Sequence, residues 1–298
     1  MKEYIPKEKI KKQAWKFYFV LAAWPVYIFV LPLVYAQMGV VSILFMIFPG
    51  AYLMTWMACL MHECWHKYVP GIPNNTLYNL YSYMLFTDPQ IYRLVHGHHH
   101  SKVNTWEDIE FHPLGEIKNT YLRRIYNFLE IVLGGILTFG LLMYILPRNE
   151  LYKGRYKTSS HIISMVMWVL IYGGLGFASA TIFNISGEKT AIALLINFWI
   201  GNLFVHHSQM IEHGGLIVKG DLNERKLKSR NLKNDGILEK LFLFLTHGEN
   251  REHVLHHTTP AVYSRPFPGK VPMPQEAVYI SLADYAAILW RMAIKGQS

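Results

Sequence analysis

Residues 40–66 read VVSILFMIFPGAYLMTWMACLMHECWH, an apolar run that ends directly in His62-Glu63-Cys64-Trp65-His66. Crossing a hydrocarbon core of about 30 Å takes ~20 helical residues, and 40–61 provides them without a single charge. Histidines four residues apart share one face of a helix, so the end of this helix presents two imidazoles together at the edge of an apolar layer. The stretch predicts a membrane helix that delivers metal-binding side chains to the membrane border.

Other runs of membrane length occur at about 16–36, 125–147 and 160–183, with a shorter one at about 190–206. Only Gln37, Met38 and Gly39 separate 16–36 from 40–61, and Asn184 to Lys189 link the last two runs, so two tight hairpins and four crossings are expected. The segment 125–147 is read as re-entrant or interfacial. A full crossing there would put the later histidines, and the basic loop Arg148, Lys153, Arg155, Lys157, on the side opposite the N-terminal lysines. Gly134, Gly135 and Gly140 permit a bend in it. Asp88 and Pro89 interrupt the aromatic stretch 77–95, which is placed at the interface. Residues 207–275 are polar and read as a cytosolic histidine-rich cap, and Val278 to Ile294 has apolar residues at helical spacing. The fold class expected is an all-α integral membrane protein, a single domain over 1–298.

Composition agrees. DEKR residues make up only 16% of the chain, against roughly 25% in soluble domains. The formal charge of +9 comes from lysines and arginines flanking apolar runs, which points to membrane topology and not to nucleic acid. The opening MKEYIPKEKIKKQAWK is basic and leads into a long apolar run without a small-residue cleavage site, so it reads as a retained anchor. Cys59 and Cys64 are the only cysteines, leaving no disulfide framework and no CxxC zinc site. Metal binding therefore falls to the fifteen histidines.

Two further clusters follow the first. His96-Gly97-His98-His99-His100 and His253-Val254-Leu255-His256-His257 each contain HxxHH. The HxxxH of the first cluster is compatible with a zinc protease, but such an enzyme needs a soluble cleft and one later ligand, and this helix emerges from a membrane with many histidines after it. A transporter would place its ligands near mid-helix, whereas these clusters lie at helix ends and in the cap. HxxxH plus two HxxHH runs provide about the number of imidazoles that two adjacent metals need.

At these positions the clusters resemble the three histidine boxes of the membrane fatty acid desaturases and related hydroxylases. The likeness extends over nearly the whole chain, through His100-Ser-Lys-Val-Asn104-Thr105 with acidic residues after it, Glu212-His213-Gly214-Gly215-Leu216, Ser229-Arg230-Asn231, and the run from Asn250 to Pro260. It implies four transmembrane helices under a cytosolic cap, two iron ions, O2 as cosubstrate and a tunnel for an acyl chain. Carried over, the ligands would be His62, His66, His96, His99, His100, His213, His253, His256 and His257. The ninth position has two candidates, His206 after Asn202 and His213 after Gln209 and Glu212; His213 is preferred for its Glu-His-Gly-Gly-Leu context. His98 departs from the pattern. Glu63, Asp108, Glu212 and Glu252 are placed to orient imidazoles by accepting their free N–H. No fused heme, ferredoxin or nucleotide fingerprint is present, so electrons would come from an external donor of ferredoxin or cytochrome type. The activity implied is desaturation of a lipid acyl chain, with hydroxylation or ketolation of a fatty acid, carotenoid or alkane as the alternative.

Overall fold

A computed structural model describes residues 14–67, 71–152, 154–259 and 273–297. Lys2 to Lys12, Lys153 and Pro260 lie outside them. In chain order the helices are α1 (Trp15–Met38), α2 (Ser42–Phe45), α3 (Tyr52–Trp65), α4 (Asn74–Met84), α5 (Pro89–Lys102), α6 (Thr120–Leu133), α7 (Gly135–Ile145), α8 (Thr158–Trp168), α9 (Gly174–Phe183), α10 (Gly187–His213), α11 (Leu222–Leu227), α12 (Ile237–Leu245), α13 (His253–Thr258) and α14 (Leu282–Lys295). Three helical stretches are long and apolar enough to cross a membrane: Trp15–Trp65, Thr158–Phe183 and Gly187–His213. The pair Thr120–Leu133 and Gly135–Arg148, bent by 117°, would be a fourth if it is one span.

The chain divides into two compact units. One holds residues 7–90 and 157–205. Its first stretch turns back on itself after Gly39, whose φ of 54° ends α1. Phe19 meets Trp56 at 5.8 Å and Tyr27 meets Phe45 at 5.2 Å between ring centroids, contacts that run in opposite directions along the two arms and define the expected hairpin. A second turn, at Asn184 in the left-handed region, leads from α9 into α10. Aliphatic surface gives little drive for helix association in lipid, so polar pairs and close packing matter more. The polar pairs here are mutual: Tyr27 Oη donates to Asn197 Oδ1 at 2.6 Å, Trp24 Nε1 to Tyr172 Oη at 3.0 Å, and Ser164 Oγ to Asp88 Oδ2 at 3.1 Å. Gly50 lets Tyr27 and Asn197 come close; a Cβ there would stand 2.5 Å from Asn197 Oδ1.

The other unit holds Ile91–Tyr156 and the chain from His206 onward. The segment read as bent does break, at Gly134, with φ 60° and ψ −142° between α6 and α7. Gly140 lies inside α7 and bends nothing. Two apolar clusters support this unit, one around Met210, Ile211, Leu232, Leu243, Ile280, Tyr285 and Met292, the other around Ile91, Val95, Ile109, Leu142 and Leu146. The described residues are mostly helical, in line with the all-α expectation, with one small exception. β1 (Arg230–Leu232) pairs in parallel with β2 (Val278–Ile280), so the C-terminal helix starts at Leu282 and not at Val278. Ser281 and Asp284 form a reciprocal capping box that sets this start.

Candidate metal centre

Each HxxHH run sits on a helix, and the helical period sorts its three imidazoles. Positions i and i+4 stand one above the other, while i+3 is rotated to the side. On α5, His96 and His100 bring their Nε2 atoms within 3.2 Å, and His256 of α13 approaches His100 Nε2 at 3.1 Å. On α13, His253 and His257 stand 2.9 Å apart, with His213 Nε2 at 2.8 Å from the first and 3.2 Å from the second. His99 of α5 joins this second group, its ligand nitrogen within 4.8 Å of those of His213 and His257. Each helix thus gives its i, i+4 pair to one group and its i+3 histidine to the other. His62 and His66, at the end of α3 in the other unit, bring their Nε2 atoms to 3.2 Å.

The far side of these rings is held by acceptors. His99 Nδ1 lies 2.7 Å from Asp108 Oδ2, His96 Nδ1 3.1 Å from Glu110 Oε2, and His253 Nδ1 3.1 Å from Glu212 Oε1. His213 Nδ1 lies 3.0 Å from Asn104 Oδ1. The orientation of that amide is fixed because Asn104 Nδ2 donates to Arg225 O and Ser229 Oγ. An acceptor at Nδ1 assigns the proton of a neutral imidazole to that nitrogen and leaves Nε2 a lone pair. His213, so held, points a lone pair at a focus where the Nε2 atoms of His213, His253 and His257 stand 2.8–3.2 Å from one another, and hydrogen bonds among the three rings alone cannot satisfy all of them. Two imidazole nitrogens about 2.1 Å from a common ion and at right angles to it would stand roughly 3.0 Å apart. A cation therefore fits the donor set, and burial together with the neighbouring His253 and His213 holds the His257 imidazole well below its ordinary range, neutral and ready to ligate.

The polar motifs around the boxes build this frame. Asn250 Nδ2 donates to Glu212 Oε1 at 2.8 Å and to Ser208 O at 2.6 Å, fixing the carboxylate beside His253. Asn231 Oδ1 accepts from Val254 N at the start of α13, and Arg230 donates to Gly214 O. Among the candidates for the ninth ligand, His213 stands in the second group, whereas His206 Nε2 faces Glu130 Oε1 at 3.9 Å. Asn202 and Gln209, half-buried on α10, belong to none of the metal-capable groups. His98 turns aside, its ring 6.0 Å from Tyr152. Of the acidic residues expected to orient imidazoles, Asp108 hydrogen-bonds His99 and Glu212 comes within 3.1 Å of His253 Nδ1 without hydrogen-bond geometry; Glu63 lies 3.8 Å from His62 Nδ1, too far for a hydrogen bond, and Glu252 lies 3.8 Å from Arg251. Glu110 and Asn104 were missed in these roles. Glu110 reaches His96 because residues 103–112 fold as successive turns, in which Glu110 N donates to Asp108 Oδ1. The one sequence hint was its place two residues beyond Asp108.

Residues 40–268 match the model of the family described as fatty acid desaturase. No curated protein matches the chain. With that match extending over most of its length, and with clustered histidines on the helices where the boxes fall, the chain belongs to the fatty acid desaturase family.

Proposed function

We propose that the protein is a membrane di-iron, O2-dependent desaturase that introduces a double bond into a lipid acyl chain. The observation that carries the reading is the pair of imidazole groups whose Nε2 atoms lie 2.8–3.2 Å apart with acceptors behind their rings. His96, His100 and His256 would hold one ion, His99, His213, His253 and His257 the other, and His62 and His66 complete the nine. Bound there, two iron ions supply redox chemistry with O2 strong enough to break an unactivated C–H bond.

The chain's own contribution is orientation and exclusion. Asp108, Glu110 and Asn104 hold the ring N–H groups of His99, His96 and His213, so these lone pairs keep their direction. His99, His213 and His257 are almost completely buried, which keeps bulk water from the reacting carbon. In this reading 1–298 acts as one membrane domain with several crossings, both termini and the metal site face the cytosol, and an external ferredoxin or cytochrome delivers electrons.

Expression in a desaturase-deficient bacterial host, with fatty acids profiled by mass spectrometry beside a His256→Ala, His257→Ala control, tests this. A new double bond absent from the control is expected. A new hydroxyl would move the reading to a hydroxylase, and an unchanged profile from folded, iron-loaded protein would remove fatty acids as the substrate.

A further inference from the structure

The helix α6 is inside out. Apart from Thr120 and Arg124 at its start its exposed residues are apolar, among them Tyr121 at 70%, Leu122 at 55% and Phe128 at 56% exposure, while its buried face carries Arg123 at 3%, Tyr126 at 6%, Asn127 at 0% and Glu130 at 4%. Positions 123, 126 and 130 are spaced i, i+3, i+7, so this is one continuous inward stripe. A surface helix of a soluble protein has the opposite pattern. Ionisable groups turned inward within an apolar segment mark a functional site by default, because holding them there is expensive.

The stripe does not close on itself. The Arg123 guanidinium lies over the Trp106 ring at 4.7 Å and over the Tyr126 ring at 5.5 Å, and its Nε has no hydrogen-bond partner among the described residues. Tyr126 is directed toward Glu130 and Thr138 of α7. His206 of α10, also buried, brings Nε2 to 3.9 Å from Glu130 Oε1, too far for a hydrogen bond and the kind of separation that an intervening oxygen bridges. Leaving such buried groups unmatched is destabilising. The cluster is also set relative to the metal centre. Seven residues of helix separate His206 from His213, about 10.5 Å along the axis and within roughly 20° around it.

Resting on the lipid-oxidation reading above, we propose that Arg123, Tyr126, Glu130, Thr138 and His206 form a binding subsite for a neutral oxygen-bearing group, a hydroxyl or carbonyl, on the lipid that the enzyme oxidises. The cluster offers a donor at Arg123 Nε and a ring nitrogen at His206 Nε2 that donates or accepts according to its tautomer, neither with a hydrogen-bond partner among the described residues. A neutral group adds no further charge to a site that already buries Arg123 and Glu130. The subsite would fix the distance between the recognised oxygen and the oxidised carbon.

The test is calorimetric titration of the metal-loaded full chain in lipid nanodiscs with C18 fatty acids carrying one hydroxyl at successive positions, and with the unsubstituted acid. Wild-type protein is expected to bind at least one isomer 10-fold or more tighter than the parent. Glu130→Gln, and separately the milder Thr138→Val, should reduce that preference below threefold while leaving the parent acid's affinity within twofold. Equal binding of parent and isomers by the wild type, with a lipid product still formed in the expression assay, would mean that water alone completes the cluster and would overturn the subsite. Absence of binding by any acid, together with absence of a lipid product, would instead remove the lipid-oxidation reading, and the subsite with it.

Discussion

The helix-pairing contacts of one unit and the histidine groups of the other are built on opposite plans. In the unit of residues 7–90 and 157–205, donors meet acceptors: Tyr27 with Asn197 at 2.6 Å, Trp24 with Tyr172 at 3.0 Å. Such pairs satisfy one another and hold helices together. Among the histidines of the second and third boxes Nε2 meets Nε2, ring nitrogens converge on ring nitrogens, and a cation at the focus would satisfy them together. Complementary pairs are scaffold; convergent like groups are a site.

The sharpest way to break this contrast is to remove one histidine from each group. His256→Ala should lower bound metal from two ions per chain to about one, and His257→Ala should do the same at the other position; the double variant should bind none and yield no oxidised lipid. Metal analysis of purified protein reads this directly, and full metal content in the double variant would refute the assignment.

A second test concerns His112, which is buried and whose imidazole burial pushes down to about 4, with Asp108 opposing the shift. The unfolded chain takes up a proton near pH 6.5 while the folded one does not. The stability this residue contributes is therefore complete above about pH 6.5 and is lost as pH falls toward 4, by up to ~3 kcal/mol. Thermal denaturation between pH 7.5 and 4.5 should flatten measurably in His112→Phe; parallel curves for the two proteins would contradict the account.

Glu110→Gln sharpens the contrast further. An amide can present the wrong atom to His96 Nδ1, and loss of such a partner typically weakens metal binding 10- to 100-fold. Chelator competition should report that change with little effect on melting of the metal-free protein. The smallest effect belongs to the scaffold. Tyr27→Phe should cost about 0.6–1.7 kcal/mol in detergent unfolding without altering metal content, and a drop in metal content would erase the distinction between the two plans.

What was legible in the sequence was whatever depends on local period. HxxxH and HxxHH announce shared helical faces from spacing alone, and Gly134 marked a break because a residue without Cβ reaches φ 60° cheaply. What depended on chain return was not legible. Glu110 becomes a partner of His96 only through the turns of 103–112, and Asn104 becomes one of His213 only because a segment 109 residues later comes back to it. The pairing of Arg230–Leu232 with Val278–Ile280 joins two three-residue segments far apart in the chain, too short for any alternation to show. The Ser281–Asp284 capping box was readable, and it marks the helix start at Leu282 that apolar spacing alone placed four residues too early, at Val278.

The exchange of histidines between α5 and α13 ties the fates of the two groups. Neither short helix can rotate or fray to release one ion without disturbing nitrogens that face the other, since His99 and His256 belong to the group opposite their own helical pairs. Ordering either helix costs conformational entropy, and an ion taken up by the first group meets that cost for both. Metal loading should accordingly be positively cooperative, with the singly loaded protein a scarce species and titration passing from empty to full in one step.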